Sequence, residues 1–172
     1  MKPGGHLATA AALGGVGYLV TGSPELASGC FAGGFLIDLD HYSDYLIFDG
    51  QWRRPDPRQF LRYSFTHSYR RLVLPLHSLE LMVFLSLFTL VWPHPALLGY
   101  LIGAFLHIGL DILVNGEHIL RQPVLFYSFA YRAAQGFSAD RLIARLALPP
   151  DAGQAPMREF FTWRPRGQKL DP

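Results

Sequence analysis

The sequence predicts an all-α protein: a four-helix transmembrane bundle followed by a C-terminal amphipathic helical segment. Three observations predict it. Half of the 172 residues are apolar and only 16% are charged, against about a quarter charged in an ordinary soluble domain. Four apolar segments, 7–20, 26–37, 74–92 and 96–114, contain no Lys or Arg. The first two segments and the last two are joined by short turns, whereas the connection between the pairs is long and rich in arginine.

The first two segments are short and rich in Gly and Ala. Small residues let helices approach closely inside a membrane, so the pair reads as a tight hairpin packed by Ala8, Ala11, Ala12, Gly15, Gly29, Gly33 and Gly34. Its turn runs from Thr21 to Pro24, where Ser23 suits an N-cap, Pro24 the first helical position and Glu25 the positive end of the helix dipole. A rival reading takes Lys2, the apolar run and "ASGC" at 27–30 as a secretory signal with a lipidated Cys30. It is disfavoured by the polar "TGSPE" before the cleavage point and by the apolar chain beyond it.

The third and fourth segments approach the roughly 20 residues that span a bilayer core. "WPHP" at 92–95 stops one helix and lets Pro95 open the next, and Asn115 and Gly116 offer a C-terminal stop. The connection between the pairs carries Arg53, Arg54, Arg58, Arg62, Arg70 and Arg71, so the positive-inside rule puts both termini of this multi-pass chain in the cytoplasm. From Val124 to Leu148, apolar residues alternate with Arg132, Arg141 and Arg145, a pattern of interfacial amphipathic helices. From Pro149 on, the chain is rich in Pro and charge and reads as loosely ordered. The expected division is 1–120 for the bundle, 121–148 for the interfacial helices and 149–172 for the tail. A net charge of +2 and the lack of a recognition module argue against nucleic acid, and membrane lipids are the expected partners, with a membrane protein as a further one.

The ionisable residues of the apolar segments fall at one depth. Counted from the outer turns at about 1.5 Å per residue, His6, Asp38 to His41, His77, Glu80, His107 and Asp111 all lie roughly 18 to 24 Å inward. An unpaired charge there costs a few kcal/mol, so these groups are expected to face one another across the bundle. His107 and Asp111 are four apart, while His77 and Glu80, and Asp38 and His41, are three apart, so each pair shares a helix face. Asp38 and Asp40 cannot share one, because two residues advance about 200°; if both bind metal, the helix must loosen after Asp38. His and carboxylate donors suit zinc, with manganese or iron as alternatives, and seven candidate ligands (His6, Asp38, Asp40, His41, His77, His107 and Asp111) leave room for one or two ions. The plainer readings are a hydrogen-bonded core His107, a helix end meeting water at Asp38 to His41, and a Glu80 paired with Arg70 or Arg71. Asp44, His94 and His118 read as surface residues, and His77 is preferred to His67 by depth.

The order of these motifs resembles a family of membrane-bound metal-dependent hydrolases, inner-membrane proteins also described as LexA-binding. The resemblance rests on Gly5-His6, on Leu36-Ile37-Asp38-Leu39-Asp40-His41, on a His-Ser pair opening the third segment, and on His107 through Asp111, and it spans roughly residues 4 to 116. The family's Pro before the first Asp is Ile37 here, and its motif before the His-Ser pair is not kept around His67, where Arg62, Tyr63 and Ser64 stand. His77-Ser78 matches that pair better. The resemblance implies metal-dependent hydrolysis. A divalent ion would activate water, with Glu80 or a spare carboxylate such as Asp40 as general base, on a lipid ester or phosphoester near Arg53, Arg54, Arg70 and Arg71. The alternative is a non-catalytic membrane subunit in which the same cluster holds a structural metal or forms a buried polar network.

Overall fold

Pro3 opens the first helix because proline lacks only an amide hydrogen that would be unpaired there anyway. Helix α1 runs Pro3–Thr21 and ends at Gly22, whose φ of 67° is left-handed, a conformation glycine adopts at little cost. Ser23 caps α2 (Pro24–Gly34), its hydroxyl accepting from the Leu26 amide at 3.1 Å. The structure, a computed structural model, describes residues 2–53, 55–144, 146–147, 151–161 and 168–169, with backbone alone at 115–118 and in the two strands. Arg54, Arg145, the side chain of His118 and much of the expected tail therefore lie outside the described residues.

After α2 the helix does loosen, into a 3-10 turn at Leu36–Asp38, before α3 (Leu39–Ser43) and a π-helical turn at Asp44–Phe48. Helix α4 (Pro57–Phe65) begins on an Asp56 cap. A second 3-10 turn, Pro75–His77, leads into α5 (Leu79–Val91), capped by Ser78, and α6 (Pro95–Ile119) starts on His94. A 3-10 turn at Leu125–Tyr127 and short helices α7 (Phe129–Ala134), α8 (Ala139–Leu142) and α9 (Pro156–Phe161) complete the helical elements among the described residues. A two-residue antiparallel ladder, Leu146–Ala147 with Gln168–Lys169, leaves the class all-α as predicted. Asn115 and Gly116 do not stop α6, which continues to Ile119.

Helix α2 lies between α1 and α6. A Cβ at Gly29 or Gly33 would collide with the carbonyls of Ala96 and Tyr100, and one at Gly99 or Gly103 with those of Leu26 and Cys30. The two Gly-x-x-x-Gly stretches thus bring α2 and α6 backbone to backbone. On α1 the buried stripe is His6, Ala10 and Gly14, spaced one helical turn apart. This corrects the expected packing set: Gly29 and Gly33 serve α6 rather than α1, Ala8, Ala11 and Ala12 are exposed, and Gly15 has open space beside it.

Among the described residues one helix, over Pro95–Val114, is long and apolar enough to cross a membrane. Helices α2 and α5, with 11 and 13 residues, are about 16 and 20 Å long, short of a bilayer core of about 30 Å. The segment after α6 differs from the expected interfacial helices. Phe126, Tyr127, Ala139 and Leu142 enter the same core as Leu74, Met82, Leu101 and Ile108, and Arg132 is fully buried. The Leu72 amide bonds to the Phe137 carbonyl and the Ala144 amide to that of Ile119, so this segment closes one end of the helical core as a cap.

Candidate metal centre

Three buried histidines meet where the helices converge on that cap. His107 enters from α6, and its Nδ1 lies 2.9 Å from the Gly34 carbonyl. A carbonyl only accepts, so Nδ1 carries the hydrogen and Nε2 a lone pair. His77 enters from the 3-10 turn with Nδ1 3.0 Å from both oxygens of Asp40, which commits its Nδ1 hydrogen in the same way. The two Nε2 atoms face each other at 3.1 Å. Two lone pairs at that distance repel, and a proton or a cation between them removes the conflict.

Carboxylates complete the surroundings. Asp38 Oδ1 stands 3.6 Å from His77 Nε2, 3.5 Å from His107 Nε2 and 3.9 Å from His41 Nε2. Asp111 places Oδ2 3.5 Å from His107 Nε2 and Oδ1 3.0 Å from His6 Nε2. The His6 and His107 rings stack with centroids 3.8 Å apart, and the buried Nδ1 of His6 has no hydrogen-bond partner among the described residues. Ligand atoms about 2.0–2.2 Å from a tetrahedral zinc lie about 3.3–3.6 Å from one another, so the spacings around Asp38 and His107 fit such an ion. Two groups can hold one: His6, His107 and Asp111, and Asp38, His41 and His77.

The sequence-predicted residues divide accordingly. Six of the seven candidate ligands, His6, Asp38, His41, His77, His107 and Asp111, fall in these two groups. Asp40 stands behind His77 instead, accepting also from the amides of Leu76 and His77, the position of an outer carboxylate that fixes a ligating imidazole. Glu80, expected as general base, points elsewhere: it accepts from the Ser78 and Ser128 hydroxyls and from the Phe129 and Ala130 amides, tying α5 to α7. The expected helix face shared by His77 and Glu80 does not form, because Ser78 between them is extended, with φ −107° and ψ 121°.

Other residues support the site without a signal in their spacing. Asp44, expected at the surface, is fully buried and accepts from the amides of Val73 and Leu74 at 2.7 and 3.2 Å. Burial, with Asp40 and Asp49 nearby, pushes its carboxyl up to about 7 against those two hydrogen bonds. Arg132 aims its guanidinium at the carbonyls of Val73, Leu74, His77 and Phe126. Together Asp44 and Arg132 grip the backbone that presents His77. The Tyr127 hydroxyl hydrogen-bonds Asp111, and burial, then the charges of Asp111 and Asp38, hold it protonated.

The cluster opens on one side. The side chains of Asp38 and His41 are 25% and 27% exposed, against 1% or less for His77 and His107, and a cavity of about 420 Å³ reaches His6, Asp38, His41, His77 and Asp111. His67, held at a φ of 50°, lines the same cavity farther along. No family model, curated protein or solved structure matches the chain.

Proposed function

We propose that the chain is an integral-membrane, metal-dependent hydrolase working at the cytoplasmic face of the inner membrane on a lipid ester or phosphoester. One observation carries this reading: the facing Nε2 atoms of His77 and His107, each with its Nδ1 committed to an acceptor, beside Asp38 and Asp111 at the end of a cavity. Membrane residence is supported by the apolar Pro95–Val114 helix and by the outward side chains of Leu19, Phe84, Leu87, Leu90, Leu98 and Phe105. An apolar surface of that extent marks contact with lipid or a partner. In a four-span arrangement the 3-10 turns at 36–38 and 75–77 extend α2 and α5 toward the inner face. The ordered resemblance to membrane-bound metal-dependent hydrolases points the same way.

His6, Asp38, His41, His77, His107 and Asp111 would hold one or two divalent ions, zinc first, with manganese or iron as alternatives. Such an ion supplies Lewis acidity and lowers the pKa of water. The remaining work belongs to the chain. Asp40 and the Gly34 carbonyl fix the tautomers of His77 and His107. Asp38 turns Oδ1 toward His77 and His107, and its second oxygen, on a partly exposed side chain, would face incoming water and accept its proton. Apolar walls keep bulk water from the reacting group.

Elemental analysis of the purified protein, followed by turnover of a panel of lipid esters and phosphoesters, tests this. The expected result is bound metal lost in His77→Ala and His107→Ala, and turnover lost in Asp38→Asn. Bound metal with no turnover of any substrate would instead favour the non-catalytic membrane subunit, a reading that the near-complete burial of His6, His77 and His107 supports.

A further inference from the structure

The cavity carries its carboxylates at one end and is mostly apolar beyond it. Past Asp38 and His41 its walls include Leu61, Leu72, Phe126 and Ile143, interrupted by Ser64, His67 and Tyr69, and no Lys or Arg lines it among the described residues. A phosphate-headed ligand draws on cationic side chains or a helix N-terminus; a neutral carbonyl needs neither. The volume of about 420 Å³ is near the low end of ligand sites, about 300–1,000 Å³, which is room for one aliphatic chain rather than the two of a diacyl lipid. Leu36 and Leu39 line the cavity and are also 40% and 56% exposed on the outer surface. The route from outside to the cavity is therefore apolar.

Resting on the hydrolase reading above, we infer that the cavity takes the single aliphatic chain of an acyl ester or amide, entering past Leu36 and Leu39 and presenting its carbonyl to Asp38 and His41. In the reaction, the oxygen of water bonds to the acyl carbon and the C–O or C–N bond breaks. One proton of water ends on the leaving oxygen or nitrogen, the other is lost to solvent from the carboxylic acid product, and no redox partner is needed. Ser64, a small residue of α4 on the cavity wall, sets how much chain fits, because a larger side chain there occupies the space of several methylenes.

Two measurements on the full chain in phosphatidylcholine bicelles test this. In the first, a palmitoyl methyl ketone, which has no bond to hydrolyse, carrying a diazirine at its tail is photolysed with the metal-loaded protein and its adducts are mapped. Adducts on Leu61, Leu72 or Ile143 are expected, and adducts confined to the outer faces of α5 and α6 would overturn the inference. In the second, Ser64→Leu is expected to lower kcat/KM for p-nitrophenyl palmitate about tenfold or more beyond whatever it does to the hexanoate ester, a shift in chain-length selectivity. Equal loss on both esters, or turnover of lipid phosphoesters with none of acyl esters, would overturn it. Normal metal content with a negative photolabelling result refutes the acyl-chain inference alone, whereas a protein that binds no metal refutes the reading beneath it.

Discussion

Replacing Asp40 with Asn changes one atom and reverses the hydrogen-bonding character of the group behind His77. Asp40 accepts from His77 Nδ1 at 3.0 Å through both oxygens, and its Oδ2 also accepts from the amides of Leu76 and His77 at 3.0 and 3.2 Å. In the Asp40→Asn variant the side-chain carbonyl oxygen keeps the two amides, which leaves the NH2 group facing Nδ1. That nitrogen must then accept, the hydrogen moves to Nε2, and His77 no longer offers a lone pair toward His107 and Asp38. Loss of such an outer partner costs about 10–100-fold in metal affinity, or about 1.4–2.8 kcal/mol at roughly 1.4 kcal/mol per tenfold. The assay is competition for zinc against a chromogenic chelator, with thermal unfolding recorded beside it to show that the variant is folded. A folded Asp40→Asn protein with unchanged zinc affinity would refute the assignment of Asp40 as the group that orients His77.

Four further outcomes follow from particular contacts. Gly33→Ala drives a methyl into the Tyr100 carbonyl and is expected to lower the melting temperature in detergent, by about 1–3 kcal/mol of stability, whereas Gly15→Ala, with open space beside it, is neutral or gains up to about 1 kcal/mol. Arg132→Met strands four carbonyls and is expected to cost about 3 kcal/mol or more and to weaken metal binding through His77; unchanged zinc affinity in a folded variant would contradict the second part. Asp44 titrates at about 7 when folded against an ordinary 3.8, so its contribution to stability is full below about pH 4 and is lost as pH rises through about 7. The stability of wild type relative to Asp44→Asn should therefore fall between those values, and a relative rise would refute a neutral buried carboxyl. Glu80→Gln breaks the tie from α5 to α7, so unfolding should come at lower temperature with metal content unchanged; loss of metal would return Glu80 to the site.

Much of the site was legible because helix spacing is local. His107 and Asp111 sit four apart on the unbroken α6, and Asp38 and His41 three apart across a turn that stays helical enough to keep them on one side. The same rule failed for His77 and Glu80, since one extended residue, Ser78, resets the direction of the chain. Asp44 looked solvated because its partners, the amides of Val73 and Leu74, lie about 30 residues away in a segment with no periodicity. Arg132 read as the polar face of a surface helix, yet α7 has only six residues and ends in a cap where four carbonyls converge. The glycines announced close packing without naming a partner. Which helix Gly29 and Gly33 face depends on long-range contacts, and the lengths of α2 and α5 depend on where the 3-10 turns interrupt them.

X-ray absorption at the zinc edge of the purified full-length protein tests the central claim most directly. Nearest neighbours of nitrogen and oxygen only, with outer scattering from about two imidazoles per zinc that diminishes in His77→Ala and in His107→Ala, are the predicted result. A protein that retains no metal, or whose absorption spectrum is unaltered by both substitutions, would contradict it.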